Sequence, residues 1–292
     1  MWTNAIEQLI RRTSADLPRD VETALRRARR YEKPQSPAHW ALDTILNNIR
    51  LARARGAPLC QDTGTLLFYC EVPFRFDTRR LTAAIHTAVR QATRQGSLRP
   101  NTIDPLTGCS CAYNLGPGAP VIHVEFAPRR TVAIRLIMKG GGSENVSAQF
   151  SLPDARLKAG RDLEGVCRCS LLAVAQAQGQ GCAPGVLGVC IGGDRATGAE
   201  CAKRQFLRPL NDCASDARLA ALERQVLQDA QKLGIGPMGF GGATTLLGVK
   251  IGALARLPAS YFVSVAYMCW AFRRRGVVLD AAGRVMRQLY GG

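Results

Sequence analysis

The spacing of apolar residues changes at Cys60, from helical recurrence to short apolar runs mixed with helical patterns, and that change limits the folds open to this chain. Over the first sixty residues the apolar side chains recur at helical spacing. Ser36 followed by Pro37 is typical of a helix start, because serine caps free amides and proline suits the first turn. Another helix is indicated after Asp16-Leu17-Pro18. We therefore predict a helical N-terminal part over about residues 1–58.

After Cys60, short apolar runs alternate with helical patterns. Strands are predicted at Thr65–Val72, Val121–Phe126, Thr131–Met138, Val186–Ile191, Leu246–Leu254 and Tyr261–Trp270, and the last two are the last strands that the pattern indicates. Helices are predicted at 81–94, 161–178, about 196–207 and 215–233. The second and third strands are predicted to form a hairpin across residues 127–130. Residues 96–120 are rich in Gly, Pro and Asn and predict a long loop, which inside a compact domain is usually functional.

This order of elements predicts the α/β class, in its mixed α+β form. We expect the helical N-terminal segment to be followed by a mixed sheet with flanking helices. No internal repeat or linker interrupts the pattern. The sequence therefore predicts a single domain over residues 1–292.

The chain carries a formal net charge of +17, from 39 Lys and Arg against 22 Asp and Glu. Such a charge favours anionic partners, and a basic nucleic-acid-binding module is one alternative. The basic residues are scattered, however, and no RNP-type motif, zinc finger or helix-turn-helix pattern accompanies them. A solvated basic surface is the better interpretation, and we expect no nucleic-acid partner.

The chain has no apolar run of the length that a membrane helix needs. Its first residues also lack the apolar core of a secretory signal. We therefore expect a soluble, cytoplasmic protein with no membrane partner.

Eleven cysteines need an explanation. A reducing compartment argues against a disulfide scaffold, and the sequence contains no CxxC pair that would indicate a zinc ribbon or a thioredoxin-like motif. Most of the cysteines are interpreted as small buried apolar residues. A cysteine site, if there is one, must be assembled from positions far apart in sequence.

Four loops rich in Gly or Cys lie at predicted strand or helix ends, where freed backbone amides can contact anions. None has the Lys-Ser/Thr of a P-loop. The last one follows a helix rather than the strand that a dinucleotide fingerprint requires. The loops are Cys60-Gln61-Asp62-Thr63-Gly64, Lys139 to Asn145, Gly181 to Gly185 with Gly192-Gly193-Asp194, and Gly234 to Gly242.

These four loops and the segment Tyr267 to Arg274 together resemble the iron–sulfur class I fumarases. The likeness covers nearly the whole chain, in the family's order, and matches the N-terminal domain or separate alpha subunit of that family. It implies a hydro-lyase that interconverts fumarate and malate, a reaction of the tricarboxylic acid cycle. Tartrate or another hydroxy-diacid is the alternative substrate.

The resemblance also implies a [4Fe-4S] cluster held by Cys60, Cys182 and Cys269. Three protein ligands leave one iron open, which suits a Lewis acid toward a substrate carboxylate and hydroxyl. The other eight cysteines match no ligand position and are interpreted as structural.

The same resemblance implies the substrate residues. Gln61 and Asp62 are expected to contact the substrate, with Asp62 as the candidate catalytic residue in proton transfer. Arg99 matches an arginine that binds a substrate carboxylate. Amides of the Gly140–Gly142 loop, those of Gly141 and Gly142 among them, are expected at the other carboxylate.

Some positions depart from the family pattern. Leu257 stands where the family often has a histidine, which raises the alternative of a cluster-carrying scaffold without activity. Cys190 stands where glycine is common. After the triple glycine, Ser143-Glu144-Asn145 replaces the cysteine expected in a tartrate dehydratase alpha chain, and this favours fumarase.

The family's second part, which supplies further Arg, Lys and Thr groups, has no counterpart in these 292 residues. We therefore expect a beta subunit or C-terminal domain to complete the active site around a small dicarboxylate. The resemblance thus predicts a homo- or hetero-oligomer.

Overall fold

The computed structural model describes residues Met1–Tyr290. The helices are α1 (Trp2–Ala15), α2 (Arg19–Tyr31), α3 (Pro37–Arg55), α4 (Thr78–Arg94), α5 (Gly141–Asn145), α6 (Leu163–Ala177), α7 (Arg195–Arg204) and α8 (Ala217–Gln231). The strands are β1 (Thr65–Pro73), β2 (Val121–Ala127), β3 (Val132–Lys139), β4 (Ala148–Ser151), β5 (Gly185–Ile191), β6 (Leu246–Ala253), β7 (Phe262–Met268), β8 (Arg273–Leu279) and β9 (Val285–Leu289).

The chain divides into two compact units. The first contains residues 1–19, 47–141 and 271–292, and the second contains residues 20–46 and 142–270. The prediction of one domain over residues 1–292 stays a prediction, and its last two residues lie outside the described range. None of the described helices is long and apolar enough to cross a membrane.

The helical N-terminal part is confirmed by α1, α2 and α3. The predicted start of α3 is also confirmed, because Pro37 is its first residue and the Ser36 hydroxyl accepts a hydrogen bond from the His39 amide at 3.2 Å. That bond satisfies one of the amides that the first helical turn leaves free.

In the first unit a five-stranded sheet has the order β2-β1-β3-β8-β9. Helix α4 contributes an apolar face at positions i, i+4 and i+8, and α1 packs beside it. The core beneath them includes Ile6, Ile10, Leu81, Ile85, Val89, Phe68 and Ile134. Asp77 caps α4 by accepting hydrogen bonds from the amides of Arg79 and Arg80.

The predicted hairpin is wrong, although both of its strands exist. Strand β1 lies between them, with β2 parallel to β1 and β3 antiparallel to it. Strand β1 is almost wholly buried and takes a neighbour on each side, whereas β2 is partly exposed as an edge strand. Two strand spacings amount to roughly 10 Å, which a connection of four residues can span. The short connection therefore did not require direct pairing.

The structure also has strands that the pattern did not indicate: β4, β8 and β9. Strand β8 begins with Arg273-Arg274-Arg275, which reads as a solvent-exposed charge run, yet Arg273 and Arg274 are buried. The predicted strand over Tyr261–Trp270 ends at Met268.

In the second unit a four-stranded sheet has the order β4-β7-β5-β6. Strand β5 is buried along its whole length, α7 packs on it and on β7, and α8 packs on β6. Its core includes Val174, Leu187, Val189, Val226, Val249 and Val263. The mixed α/β class is therefore confirmed, and residues 1–290 contain two mixed sheets rather than the single sheet expected.

Candidate active site

The strand directions of the first sheet bring four loops to one edge. Strand β1 begins at this edge, and β3, antiparallel to β1, ends there. Strand β2 runs parallel to β1 and β8 runs antiparallel to β3, so both of them also begin there. The loops before β1, before β2, after β3 and before β8 therefore meet. Of the predicted segments, these include residues 60–64, 96–120 and 139–141.

The Asp62 carboxylate accepts hydrogen bonds from three of the loops at this edge. Its Oδ1 accepts hydrogen bonds from the amide of Gly64 at 2.9 Å and from Nδ2 of Asn101 at 3.1 Å. Its Oδ2 accepts one from the amide of Gly141 at 2.6 Å. Three donors from three loops thus fix the direction of one half-buried carboxylate, since hydrogen bonds to a carboxylate are among the stronger ones.

Gly64 is required by close packing of the loop before β1 against the end of β3. Its φ is +80°, and a Cβ at this position would lie 2.6 Å from the carbonyl carbon and oxygen of Lys139. Both the positive φ and the contact exclude other residues. The glycine of the predicted Cys-Gln-Asp-Thr-Gly motif therefore brings the Asp62 loop against residues 139–141.

A cavity of about 330 Å³ lies beside Asp62. This volume is at the small end of ligand pockets. No Lys, Arg or His is among the described residues of the lining, which are Asp62, Thr63, Gly64, Thr65, Leu66, Leu98, Asn101, Thr102, Ile103, Asn114, Gly118, Ala119, Pro120 and Gly141.

Two of the predicted substrate residues line this cavity: Asp62 and Gly141. The amide of Gly141 donates to Asp62, and this is the bond the structure shows for it. Gln61 and Arg99 are exposed and are not among the lining residues. The backbone of Arg99 is held nevertheless, because its amide donates to the Thr63 hydroxyl at 3.2 Å.

The sequence interpretation missed Asn114, which organises the long loop. Its Oδ1 accepts from the amides of Asn101 at 2.8 Å and Thr102 at 3.0 Å. Its Nδ2 donates to the carbonyl of Arg99 at 2.7 Å and to the Thr93 hydroxyl at 3.1 Å. The side chain is buried, and all four of its hydrogen-bonding positions are used. An asparagine in a loop already predicted to be functional was the available signal.

In the second unit, Cys182 and Cys269 lie at one edge of the sheet. Strands β5 and β7 are antiparallel with Val186 opposite Met268, so the residues before β5 and after β7 come together. The amide of Trp270 donates to the carbonyl of Cys182 at 3.1 Å. The loop that contains Gly234 to Gly242 reaches the same edge, where the Met238 amide donates to the Ala183 carbonyl at 2.8 Å.

Tyr267 fills the space behind these two cysteines. A Cβ on Gly181 or on Gly185 would overlap its ring, which explains the two glycines around Cys182. Burial raises the pKa of the Tyr267 hydroxyl well above its ordinary value, and the nearby charges of Cys269 and Cys182 raise it further. The Tyr267 ring therefore packs against the loop that carries Cys182.

The donor set of the three predicted cluster cysteines fits an iron–sulfur group. None of the three is in a disulfide; Cys60 belongs to the first unit and the other two belong to the second. Thiolates are the donors that iron–sulfur clusters use. Across residues 1–290, no three His, Cys, Asp or Glu side chains stand close enough to hold a single metal ion. In a cluster, by contrast, each thiolate binds its own iron.

Other cysteines have different surroundings. Burial raises the pKa of Cys70 from 9.0 to about 12 and that of Cys169 to about 11, so both remain thiols at neutral pH. Cys109 and Cys213 are exposed. Leu257, at the position where a histidine was expected, is 73% exposed on a turn whose carbonyls contact Arg256.

Comparison with known proteins identifies the family. A family model described as "Fumarate hydratase (Fumerase)" matches residues 3–278. A putative fumarate hydratase class I of Geobacillus stearothermophilus is 48% identical over 97% of this chain, which spans 56% of that protein's length. A putative L(+)-tartrate dehydratase subunit alpha of Methanocaldococcus jannaschii is 33% identical over 96% of this chain and 98% of its own length.

The L(+)-tartrate dehydratase subunit alpha of Escherichia coli K12 is 29% identical over 92% of this chain and 87% of its own length. The relatives therefore include both of the enzymes that the sequence suggested. Because the match extends through the Asp62 loop, the long loop and the segments of Cys182 and Cys269, this chain belongs to the fumarate hydratase (fumerase) family.

Proposed function

We propose that this chain is the alpha part of an iron–sulfur hydro-lyase that interconverts fumarate and malate. The observation that carries the choice of substrate is the identity of 48% to the putative class I fumarate hydratase, against 33% and 29% to the tartrate dehydratase alpha subunits. Ser143-Glu144-Asn145 after the glycines supports the same choice.

The cavity beside Asp62 is the proposed place for a small dicarboxylate. A four-carbon diacid is small enough for a volume of about 330 Å³. Asp62 is the proposed catalytic residue, which accepts and returns the proton exchanged at a substrate carbon. Its carboxylate is suited to this because three donors hold it in one direction, and positioning of this kind lowers the barrier to proton transfer.

The remaining substrate contacts are proposed from the family resemblance. Arg99 would bind one carboxylate with its exposed guanidinium, which can move while its backbone is held by Thr63 and Asn114. Gln61, also exposed, would contact the substrate from the same loop as Asp62. At the other carboxylate, the amide of Gly142 fits better than that of Gly141, because Gly141 already donates to Asp62.

Cys60, Cys182 and Cys269 are the proposed ligands of a [4Fe-4S] cluster. When bound, such a cluster supplies a Lewis-acidic iron that polarises the hydroxyl group lost or gained by the substrate. The support in this chain is the chemistry of the three cysteine side chains, none of them in a disulfide, and the proximity of Cys182 and Cys269 at one sheet edge. The many cysteines of the chain also support a reducing, cytoplasmic location, because such a compartment keeps thiols reduced.

A beta subunit or C-terminal domain is the proposed source of the missing positive charge. A dicarboxylate carries two negative charges, yet the described lining of the cavity contains one carboxylate and no cationic side chain. Two relatives that match this chain over most of their length are named as alpha subunits. An assembly of this chain with such a partner would balance the charge of the substrate.

The test is a substrate panel on anaerobically reconstituted protein, with and without the partner polypeptide. We expect loss of fumarate absorbance only when the partner is present, and a much slower reaction with tartrate. Asp62→Asn should abolish turnover, whereas Asp104→Asn, a change in a turn of the long loop outside the cavity lining, should not. Turnover by Asp62→Asn at the wild-type rate would contradict the proposal.

Tartrate dehydration is the second candidate, favoured by one observation. Two relatives named as tartrate dehydratase alpha subunits match 96% and 92% of this chain. A higher kcat/KM with tartrate than with fumarate in the same panel would select it.

A further inference from the structure

Arg273 is a buried cation that the proposed mechanism does not use. It is the first residue of β8, and its side chain is 1% exposed. Its Nη2 donates a hydrogen bond to the main-chain carbonyl of Asp62 at 2.9 Å. Its Nε and Nη1 are buried and have no hydrogen-bond partner among residues 1–290, and no carboxylate in that range forms an ion pair with it.

Such an arrangement does not favour stability. Taking a guanidinium out of water is costly, and the cost is recovered when several hydrogen bonds and a counter-charge are supplied. Arg273 makes one side-chain hydrogen bond. A well-packed apolar side chain would therefore suit this position at least as well if stability were its only role.

The one contact of Arg273 identifies what it does. Strand β3 lies between β1 and β8, with Lys139 opposite Thr65 and Met138 opposite Arg273. The Arg273 side chain therefore reaches the Asp62 loop from the neighbouring strand β8, past the end of β3. It is not among the residues that line the cavity. The hydrogen bond to the Asp62 carbonyl is therefore the contact that links Arg273 to the cavity.

We propose that Arg273 is a positioning residue, which holds the Asp62 peptide so that the carboxylate is presented to the cavity. The charge-assisted bond fixes the main-chain carbonyl, and the amides of Gly64 and Gly141 together with Asn101 fix the carboxylate. Both ends of the residue are then held. The effect on turnover rests on the proposed function, whereas the effect on the loop does not.

The first test is hydrogen exchange of the full chain, which needs no substrate. In Arg273→Met, the amides of Gly64 and Gly141 should exchange on the order of tenfold faster, the loss expected for one charge-assisted hydrogen bond. The thermal midpoint should stay the same or rise, because an uncompensated buried charge is removed. Arg273→Lys keeps one charged donor and should give intermediate exchange.

Arg274→Met is the matched control. Arg274 is the next residue of β8 and is also fully buried, but its guanidinium stacks on Phe272 at 4.3 Å from the ring centroid. Its replacement should lower the thermal midpoint and leave exchange at Gly64 and Gly141 near the wild-type rate. Equal acceleration in both variants, or wild-type exchange at these two amides in Arg273→Met, would overturn the proposal. If Arg273→Met does not fold, the same comparison is decided by Arg273→Lys.

The second test is kinetic. In the assembly that hydrates fumarate, Arg273→Met should lower kcat on the order of 100-fold, the loss expected for a misplaced catalytic group, and change KM by less than about threefold. A rise in KM with unchanged kcat would instead mean that Arg273 binds substrate, and would overturn the positioning role. If the wild-type assembly hydrates no fumarate, the proposed function fails, and the exchange comparison still decides whether Arg273 positions the loop.

Discussion

Replacing Asn114 should lower the free energy of unfolding more than replacing any exposed residue of the long loop. The side chain makes four hydrogen bonds, three to the backbone of Arg99, Asn101 and Thr102 and one to the Thr93 hydroxyl. At about 1 kcal/mol of net stability each, and with water replacing some of them at exposed partners, Asn114→Ala should lose about 2–4 kcal/mol.

The backbone adds a further cost. Asn114 has φ +60°, in the left-handed region that asparagine tolerates. Alanine in this conformation is strained, at a cost of about 1 kcal/mol or more. The total for Asn114→Ala is then about 3–5 kcal/mol. Asn114→Gly loses the same four bonds without the strain, and should be less destabilised than the alanine variant.

Asn114→Asp separates the two halves of the side chain. Aspartate keeps the acceptors for the Asn101 and Thr102 amides but loses the two bonds that Nδ2 donates, and it places a carboxylate oxygen against the Arg99 carbonyl. Urea unfolding followed by circular dichroism gives the free energies. A loss below about 1 kcal/mol for Asn114→Ala, less than one net hydrogen bond, would refute the view that this side chain organises the loop.

Three further predictions test the cysteines and the packing around them. Replacing a proposed cluster ligand with Ser should abolish the iron content and the visible absorbance of the reconstituted protein; these ligands are Cys60, Cys182 and Cys269. The same replacement in three control cysteines should leave both intact; the controls are Cys109, Cys167 and Cys213. Gly185→Ala should lower the free energy of unfolding by about 1–3 kcal/mol, seen as a lower thermal midpoint, because its Cβ overlaps the Tyr267 ring. The Cys70 thiol has its pKa raised from 9.0 to about 12 by burial, so its contribution to stability is complete below pH 9 and is lost as pH rises toward 12. Alkaline unfolding of Cys70→Ala should therefore depend less on pH across that window, and an unchanged slope would contradict the assignment.

Local patterns predicted the elements of this fold better than their arrangement. Helix α3 was predicted from Ser36-Pro37 because capping is a local interaction. The pairing of β2 was not, because the choice between β1 and β3 as its neighbour is made by burial of β1, which no local pattern reports. Strand β8 was missed for a related reason, since its three leading arginines have the appearance of a solvated segment.

The candidate site was predicted in part for the same reason. Asp62 and Gly141 belong to motifs that the sequence displays, and the structure places both at one cavity. Asn114 acts on backbone atoms 12 to 15 residues away within the long loop, and Arg273 acts on the backbone of another loop 211 residues away. Contacts of a side chain with a distant backbone leave no spacing rule in the sequence, so only the folded chain shows them.

The charge around the cavity opposes the binding of the proposed diacid. Asp62 is the ionisable side chain of the described lining, and all three of its donors are uncharged amides. A substrate carboxylate brought near it meets a repulsion of roughly 4 kcal/mol at about 4 Å and an effective dielectric constant near 20. Arg99, whose amide is bonded to the Thr63 hydroxyl, is the residue that we propose to balance one of the two substrate charges. The net charge of +17 is therefore not evidence that this cavity binds anions, since the described residues of its lining include no positively charged side chain. The donors of this chain fix the direction of the Asp62 carboxylate, and we infer that a partner supplies the remaining cations.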